Sequence, residues 1–300
     1  MASAIAIASS AALSAREPDG SFLYARKDSC DLFFDFYRAT GGSAKATVIY
    51  AFGGGFKEGS RDQKYFTPWF DELNANGYNV VSIDYRLGLK DVKGAGVNMK
   101  FAESLEGAIR LAVEDLFSAT AYLLENAEEL GIDTSRLVIS GSSAGAITVL
   151  QAEWEICNRH EIAGMLPDGF NYAGVMAFSG AIFSREGAVR YASEPCPTAL
   201  FHGTADKIVP YGQFALFKMR FAGSNVLAKT MLGNGYNCNV FRFKDRGHEI
   251  ASSMMPNLEE ELLFLDRNVC RGERRIVDAT IDDPSIPRPS WGSGDYKGLY

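Results

Sequence analysis

The amino-acid sequence predicts an α/β fold with a mostly parallel central sheet and helices on both of its faces. Predicted strands and helices alternate along most of the 300 residues, as in doubly wound sheets. The run ATVIYAF (residues 46–52) is apolar or aromatic throughout, which is typical of a strand buried on both faces of a parallel sheet. A turn rich in glycine and serine, SGSSAGA, stands between a second such strand and a predicted helix.

Composition bounds the class of protein. A hydrophobic content of 47% over 300 residues predicts one extended domain with a large core. The 30 basic residues against 37 acidic ones give a net charge of −7, which argues against binding to nucleic acid or an anionic membrane. No run approaches the roughly 18 apolar residues of a membrane span. The five cysteines lack metal-binding spacing, and Cys196 and Cys238 are a candidate disulfide pair if the chain is exported.

We predict three regions along the chain. Residues 1–15 are small and apolar and resemble a secretory signal with its cleavage zone, which predicts export to the periplasm or the exterior. Because no basic residue precedes Arg16, a plain leader on a cytoplasmic protein is the alternative. Residues 16–270 form the predicted catalytic domain. Residues 271–300 hold three of the ten prolines and are predicted to be a tail packed on that domain or trailing from it.

Hydrophobic periodicity locates the elements. Predicted strands are SFLYAR, LFFDFYR, ATVIYAF, YNVVSIDYRL, RLVIS, YAGVMAFSG, PTALFHGT and NVFRFKDR. Predicted helices include one around Trp69 and others at residues 103–130, 146–160, 213–221 and 257–268.

The turn GSSAG (residues 141–145) fits the pattern G-x-S-x-G, which centres on Ser143. Its position between a strand and a helix would expose the hydroxyl at a helix N-terminus, where the dipole favours developing negative charge. The flanking glycines fit this function, because side chains there would collide with the strand and the helix. Ser142 is the rival nucleophile, and an ordinary strand-to-helix turn is the structural alternative.

A serine becomes nucleophilic only when a base takes its proton, and the chain has three histidines. His160 lies at the far end of the helix after the turn. His202 lies inside a predicted strand, either buried or adjacent to the site. His248 follows the last predicted strand on a loop, and it alone comes after both Ser143 and a suitable acid.

The predicted acid is Asp206, which comes just after the end of its strand, where open parallel sheets place functional residues. Its carboxylate would fix the imidazole tautomer and stabilise the imidazolium. Asp245 and Glu249 are rival acids that lie too close to His248 in sequence to reach it easily.

An acyl-transfer site also needs N–H donors for the oxyanion. The run GGG (residues 53–55) directly follows a buried strand, so its backbone can approach a substrate without interference from side chains. The second donor would be the N–H of Ala144, the residue after the predicted nucleophile.

With these segments in order, the chain resembles the carboxylesterases of the α/β-hydrolase fold. The matching segments are FGGGF, SIDYRL, ISGSSAGA, HGTADKIVP and DRGHEI, and the resemblance extends from Phe22 to Asn268. It implies an α/β-hydrolase fold with a small cap or none, and no metal or cofactor. It also implies a triad and an oxyanion hole, whose residues are Ser143, Asp206 and His248, and Gly54, Gly55 and Ala144. Phe52 stands where the family's oxyanion segment usually opens with a histidine, so the histidine that would brace this loop is replaced here.

The resemblance implies a serine hydrolase of carboxylic esters, with short-acyl or aryl substrates that include acetyl or feruloyl esters of plant polysaccharide. The segment FSREGAVRYASEPC is too short for a large lid, and residues 87–107 are the better candidate for a substrate-facing edge. Phe52, Phe56 and Ile182 are candidate pocket residues, with core packing as their alternative function.

Other function classes stay open at this point. A lipase or aromatic polyester hydrolase would differ only in the shape of its groove. A serine peptidase of the oligopeptidase type shares the catalytic domain but usually carries a propeller before it. A non-catalytic binding protein of this fold typically loses the serine or the histidine, whereas this chain has both.

Overall fold

The computed structural model describes residues 16–92 and 99–284. The predicted leader lies outside these residues, as do residues 93–98 of the predicted substrate-facing edge and the end of the predicted tail. The strands in the described residues are β1 (Gly20–Lys27), β2 (Cys30–Tyr37), β3 (Ala46–Ala51), β4 (Tyr78–Ile83), β5 (Leu137–Ser142), β6 (Gly174–Phe178), β7 (Ala181–Ser184), β8 (Thr198–Gly203), β9 (Gln213–Leu216), β10 (Met219–Gly223), β11 (Cys238–Phe243) and β12 (Val277–Ile281). The α-helices are α1 (Thr67–Ala75), α2 (Met99–Glu125), α3 (Ala127–Leu130), α4 (Ala144–Cys157), α5 (Ser224–Gly233) and α6 (Leu258–Phe264).

The described strands form a nine-stranded sheet in the order β1-β2-β4-β3-β5-β6-β8-β11-β12. The strands from β4 to β12 in that order run parallel, while β1 and β2 pair antiparallel at one edge. Each residue of β3, β4 and β5 is buried, as expected for strands covered on both faces. The predicted α/β fold with a mostly parallel sheet is confirmed.

The handedness of the crossover connections places helices on both faces of the sheet. The β3–α1–β4 and β4–α2–β5 connections cross the sheet in opposite directions, so right-handed crossovers put α1 and α2 on opposite faces. Helix α2 packs on α4. On the other face, Trp69 of α1 donates its indole N–H to Glu261 of α6 at 2.7 Å. No helix in residues 16–92 and 99–284 is both long and apolar enough to cross a bilayer.

A ladder of three phenylalanines packs the sheet near its carboxyl ends. Phe178, Phe201 and Phe241 are register partners on β6, β8 and β11. The ring centroids of Phe178 and Phe201 lie 4.6 Å apart, and those of Phe201 and Phe241 lie 4.8 Å apart, with nearly parallel planes. All three are almost completely buried, so they fix the spacing of the strands that carry the residues described below.

Two regions differ from the sequence prediction. Residues 213–221, predicted as a helix, form the β9–β10 hairpin, which turns at Phe217 with a positive φ of 52° and joins β7 in a three-stranded sheet. The spacing of apolar residues there also fits a helix, and pairing with β7 decides the outcome. Strand β12 lies within the predicted tail and extends the main sheet by parallel pairing with β11. The thiols of Cys196 and Cys238 are free, so the candidate disulfide is not formed in this structure.

The phenylalanine ladder generates a stability prediction. We expect Phe201→Ala to lower the free energy of unfolding by about 3–5 kcal/mol, because it empties the middle of the stack. Phe214→Ala is the matched control: Phe214 is 45% exposed on β9, and its loss should change the free energy by no more than about 0.5 kcal/mol. Urea unfolding of both variants measures the difference. Equal losses of unfolding free energy would contradict the claim that the ladder stabilises the sheet.

Candidate active site

Ser143 stands in a strained turn between β5 and α4. Its φ of 50° and ψ of −113° lie in a region that residues other than glycine rarely adopt, at a cost of about 1–3 kcal/mol. The surrounding chain holds the conformation. The Ser143 N–H donates to the Phe178 carbonyl at 2.9 Å, and the Ser142 hydroxyl donates to the Ala251 carbonyl at 2.7 Å. Ser142 is thereby buried and engaged, while Ser143 remains partly exposed.

The two glycines that flank this turn permit close backbone approach. A Cβ at Gly145 would lie 1.9 Å from the carbonyl oxygen of Ala51, at the end of β3. A Cβ at Gly141 would lie 2.3 Å from the carbonyl of Gly145 itself. Since no real Cβ contact is that short, any side chain at either position would push the turn away from its neighbours.

The structure brings Ser143, His248 and Asp206 into one hydrogen-bonded chain. The Ser143 Oγ lies 2.8 Å from Nε2 of His248, and Nδ1 of His248 lies 2.8 Å from Oδ2 of Asp206. Because the carboxylate can only accept, Nδ1 carries the proton and Nε2 presents its lone pair to the Ser143 hydroxyl. His248 is 7% exposed and Asp206 is 6% exposed, so water screens this chain weakly.

Four contacts hold the Asp206 carboxylate. The backbone N–H groups of Ile208 and Val209 donate to Oδ1 at 2.9 and 3.1 Å. On the other oxygen, Oδ2, the His248 ring is joined by His202, whose Nε2 lies 3.3 Å away. Burial raises the pKa of Asp206, but the hydrogen bonds and charges of the two histidines outweigh it and hold the pKa well below its usual range. The carboxylate is therefore ionised at neutral pH.

The loops that carry the acid and the histidine are tied to each other. A Cβ at Gly203 would lie 2.4 Å from the carbonyl oxygens of Arg246 and Gly247, so only glycine allows this approach. The Ala205 N–H donates to the Arg246 carbonyl at 2.8 Å. The rival acid Asp245 is exposed in the same loop and Glu249 lies beside His248, but Asp206 is the carboxylate on the ring nitrogen.

The glycine run after β3 lies against the turn that carries Ser143. A Cβ at Gly53 would lie 3.1 Å from the Ser142 Oγ and 3.3 Å from the Ser143 Cβ, so Gly53 lies directly against this turn. The Gly54 carbonyl accepts from the N–H groups of Lys57 and Glu58 at 3.0 and 3.2 Å. In a trans peptide the next N–H, that of Gly55, points the opposite way, out of the loop. The N–H of Ala144, at the start of α4, has no acceptor within the helix.

Tyr85 braces this loop where the family's histidine is missing. Its hydroxyl donates to the Phe52 carbonyl at 2.8 Å, and its ring stacks on the Phe52 ring with centroids 4.3 Å apart. Burial raises the pKa of Tyr85, so the hydroxyl keeps its proton and remains a donor. The sequence signal for this contact was the segment SIDYRL, in which Tyr85 follows the strand next to β3.

The three residues predicted to line a pocket lie in the core instead. Phe52 is 1% exposed, while Phe56 and Ile182 are completely buried. Phe52 and Phe56 pack on Tyr85, and Ile182 pairs with Ala222 of β10. Their side chains pack against the elements around the site, and none of the three is exposed enough to line a pocket.

A cavity of about 270 Å³ lies outside the site, between α2 and α4. Its lining includes Trp154 and His160 but not Ser143. His160 pairs there with Glu155. Among residues 16–92 and 99–284, no group of three or more His, Cys, Asp or Glu side chains could hold a metal ion.

The fold and the geometry of the site together place this chain in the class of the α/β hydrolases. A family model described as Phospholipase/Carboxylesterase matches residues 107–265, which is more than half of the chain, and a second model, described as BD-FAE, matches residues 34–155. The chain belongs to the Phospholipase/Carboxylesterase family.

The chain is similar to proteins that are named as esterases. The chain is 32% identical over 98 residues to Esterase LipI of Mycobacterium tuberculosis, a match that spans 33% of this chain and 25% of that protein. An esterase from Thermogutta terrifontis, solved with propionate bound, superposes with a TM-score of 0.60 at 20% identity over 82% of this chain and 93% of its own. Its butyrate-bound structure gives 0.59 at 19% identity over the same shares. At such identities the superposition establishes the fold.

The contact at Gly145 generates a second prediction. We expect Gly145→Ala to lower the free energy of unfolding by at least about 2 kcal/mol, because the new methyl group overlaps the Ala51 carbonyl. Gly107→Ala is the control, since a Cβ there, within α2, meets nothing within 4 Å. That variant should gain up to about 1 kcal/mol from helix propensity. Chemical denaturation compares the two, and a stabilised Gly145→Ala protein would contradict the close approach.

Proposed function

We propose that this protein is a serine hydrolase of carboxylic esters, with Ser143, His248 and Asp206 as its catalytic triad. The observation that carries the proposal is the continuous hydrogen-bonded chain from the Ser143 hydroxyl to the Asp206 carboxylate, at 2.8 Å for each link. Membership of the Phospholipase/Carboxylesterase family supports the same reaction class.

In the first half of the reaction, Ser143 Oγ attacks the carbonyl carbon of the ester while its proton passes to Nε2 of His248. Asp206 stabilises the imidazolium that forms. The resulting tetrahedral intermediate carries a negative oxygen, for which we propose the N–H groups of Gly54, Gly55 and Ala144 as donors. When the intermediate collapses, the bond to the alcohol oxygen breaks, and the alcohol leaves with the proton from His248.

The second half of the reaction uses the same groups in the same order. Water gives a proton to His248 and attacks the acyl group on Ser143. The new tetrahedral intermediate then releases the carboxylic acid, and the proton returns to the Ser143 oxygen. Each half-reaction therefore begins and ends with a neutral His248.

The substrates we propose are short-acyl or aryl esters, including acetyl or feruloyl esters on polysaccharide. The described connection from β7 to β8 spans residues 185–197, which is too short for a large lid over a long lipid chain. The Thermogutta terrifontis esterase, which shares the fold, has been solved with the short acids propionate and butyrate bound.

A panel of p-nitrophenyl esters from acetate to long-chain acids tests the function directly. We expect the wild-type protein to prefer the short acids, and Ser143→Ala to lose at least about 1,000-fold in kcat, because no nucleophile remains. Ser142→Ala is the matched control for the neighbouring serine: its hydroxyl is engaged with Ala251, so at least a tenth of the activity should survive. A folded wild-type protein inert on every ester would contradict the proposal, as would loss of activity in Ser142→Ala alone.

The brace on the glycine loop gives a further prediction. We expect Tyr85→Phe to lower kcat by roughly 10-fold with little change in KM, because a loosened Phe52 carbonyl shifts donors that act mainly in the transition state. Tyr172→Phe is the control, since it also removes a buried hydroxyl with a partner, Thr120, away from the glycine loop. Steady-state kinetics of both variants measures the effect, and an equal fall in kcat would mean that the loop needs no brace.

A further inference from the structure

A second histidine contacts the predicted catalytic acid. His202, on β8, is completely buried, and its ring is held on both sides. Nε2 lies 3.3 Å from Oδ2 of Asp206 and 3.1 Å from the carbonyl oxygen of Val209. Nδ1 lies 2.7 Å from the hydroxyl of Ser224, at the start of α5. His202 is not part of the hydrogen-bonded chain from Ser143 through His248 to Asp206.

The partners of the two ring nitrogens define the tautomer. Nε2 faces a carboxylate and a backbone carbonyl, both of which only accept hydrogen bonds, so Nε2 carries the proton. Nδ1 faces a hydroxyl, which can donate to its lone pair. The Ser224 hydroxyl thus satisfies a neutral His202 and orients the Nε2–H bond toward Asp206 and Val209.

We propose that His202 is a positioning residue, which acts through Asp206 by sharing its Nε2–H with the oxygen that also accepts from Nδ1 of His248. This inference deepens the proposed function and rests on it. Oδ1 of Asp206 is held by two backbone N–H groups, so the two imidazoles share Oδ2. His202 thereby fixes the direction of the carboxylate and moderates the negative charge that His248 meets.

This moderation has a consequence for pH dependence. Loss of the donor at position 202 would leave Oδ2 with more uncompensated charge, which would stabilise the imidazolium form of His248. The acid limb of the kcat/KM profile would then move to higher pH. Other ionisable groups on the elements packed around the pair include Tyr211, Arg242, Asp245, Arg246 and Glu249, and none of them is substituted in the variants below.

Two amide substitutions separate positioning from packing. The side-chain amide of Gln reaches about as far as Nε2 of histidine, whereas that of Asn reaches about as far as Nδ1. We expect His202→Asn to lower kcat by roughly 10-fold with little change in KM, and to move the acid limb up by about half a pH unit to one unit. His202→Gln should restore the wild-type limb and most of the kcat. Equal activity losses with unmoved limbs in both variants would mean that the ring only fills space, and would overturn the proposal.

A spectroscopic measurement on the wild-type protein needs no variant at position 202. In ¹⁵N-histidine-labelled protein the three imidazoles give three sets of ring resonances, and His160→Gln and His248→Gln assign the third set to His202. We expect the Nε2–H tautomer for His202, because Nε2 faces two acceptors and Nδ1 faces a hydroxyl. An Nδ1–H tautomer would overturn the proposal. Wild-type protein without esterase activity would instead overturn the proposed function, so the two failures are distinguishable.

Discussion

The close approach of β5 and β3 at their carboxyl ends is the constraint on which the site depends. Gly145 allows the first turn of α4 to lie against the Ala51 carbonyl, and Gly53 allows the following loop to lie against Ser143. The hydroxyl and the glycine-loop amides can therefore face one small volume without intervening side chains. The positive φ of Ser143 follows from the same packing, because a relaxed turn would need more room than these contacts leave.

The second constraint is the set of groups that surround the Asp206 carboxylate, which determines the charge that His248 meets. Its carboxylate collects two backbone N–H groups and two imidazoles in a buried setting, where each hydrogen bond is stronger than in water. The phenylalanine ladder fixes the spacing of β6, β8 and β11, of which β8 leads into the loop with Asp206 and β11 into the loop with His248. The site residues thus lie on loops at the ends of strands, and the rigid strands fix the relative positions of those loops.

The sequence predicted most of this arrangement because its signals are local. Each signal can be recognised from the residues next to it: G-x-S-x-G at a strand-to-helix turn, an acid just after a strand, and a histidine after the last long strand. The sequence did not predict the long-range contacts. The stacking of Tyr85 on Phe52 joins residues 33 positions apart, and the approach of His202 to Asp206 depends on how a loop folds back. Strand β12 and the β9–β10 hairpin were missed for the same reason, because pairing partners decide short strands.

The central claim is that Ser143 is a nucleophile activated by His248, and covalent labelling tests it most directly. Reaction with a fluorophosphonate, followed by intact-mass and peptide mass spectrometry, should give one adduct per chain on Ser143, with fluoride as the leaving group. His248→Gln should label far more slowly, although Ser143 is present. An adduct on Ser142, or equal labelling rates in the two proteins, would contradict the account.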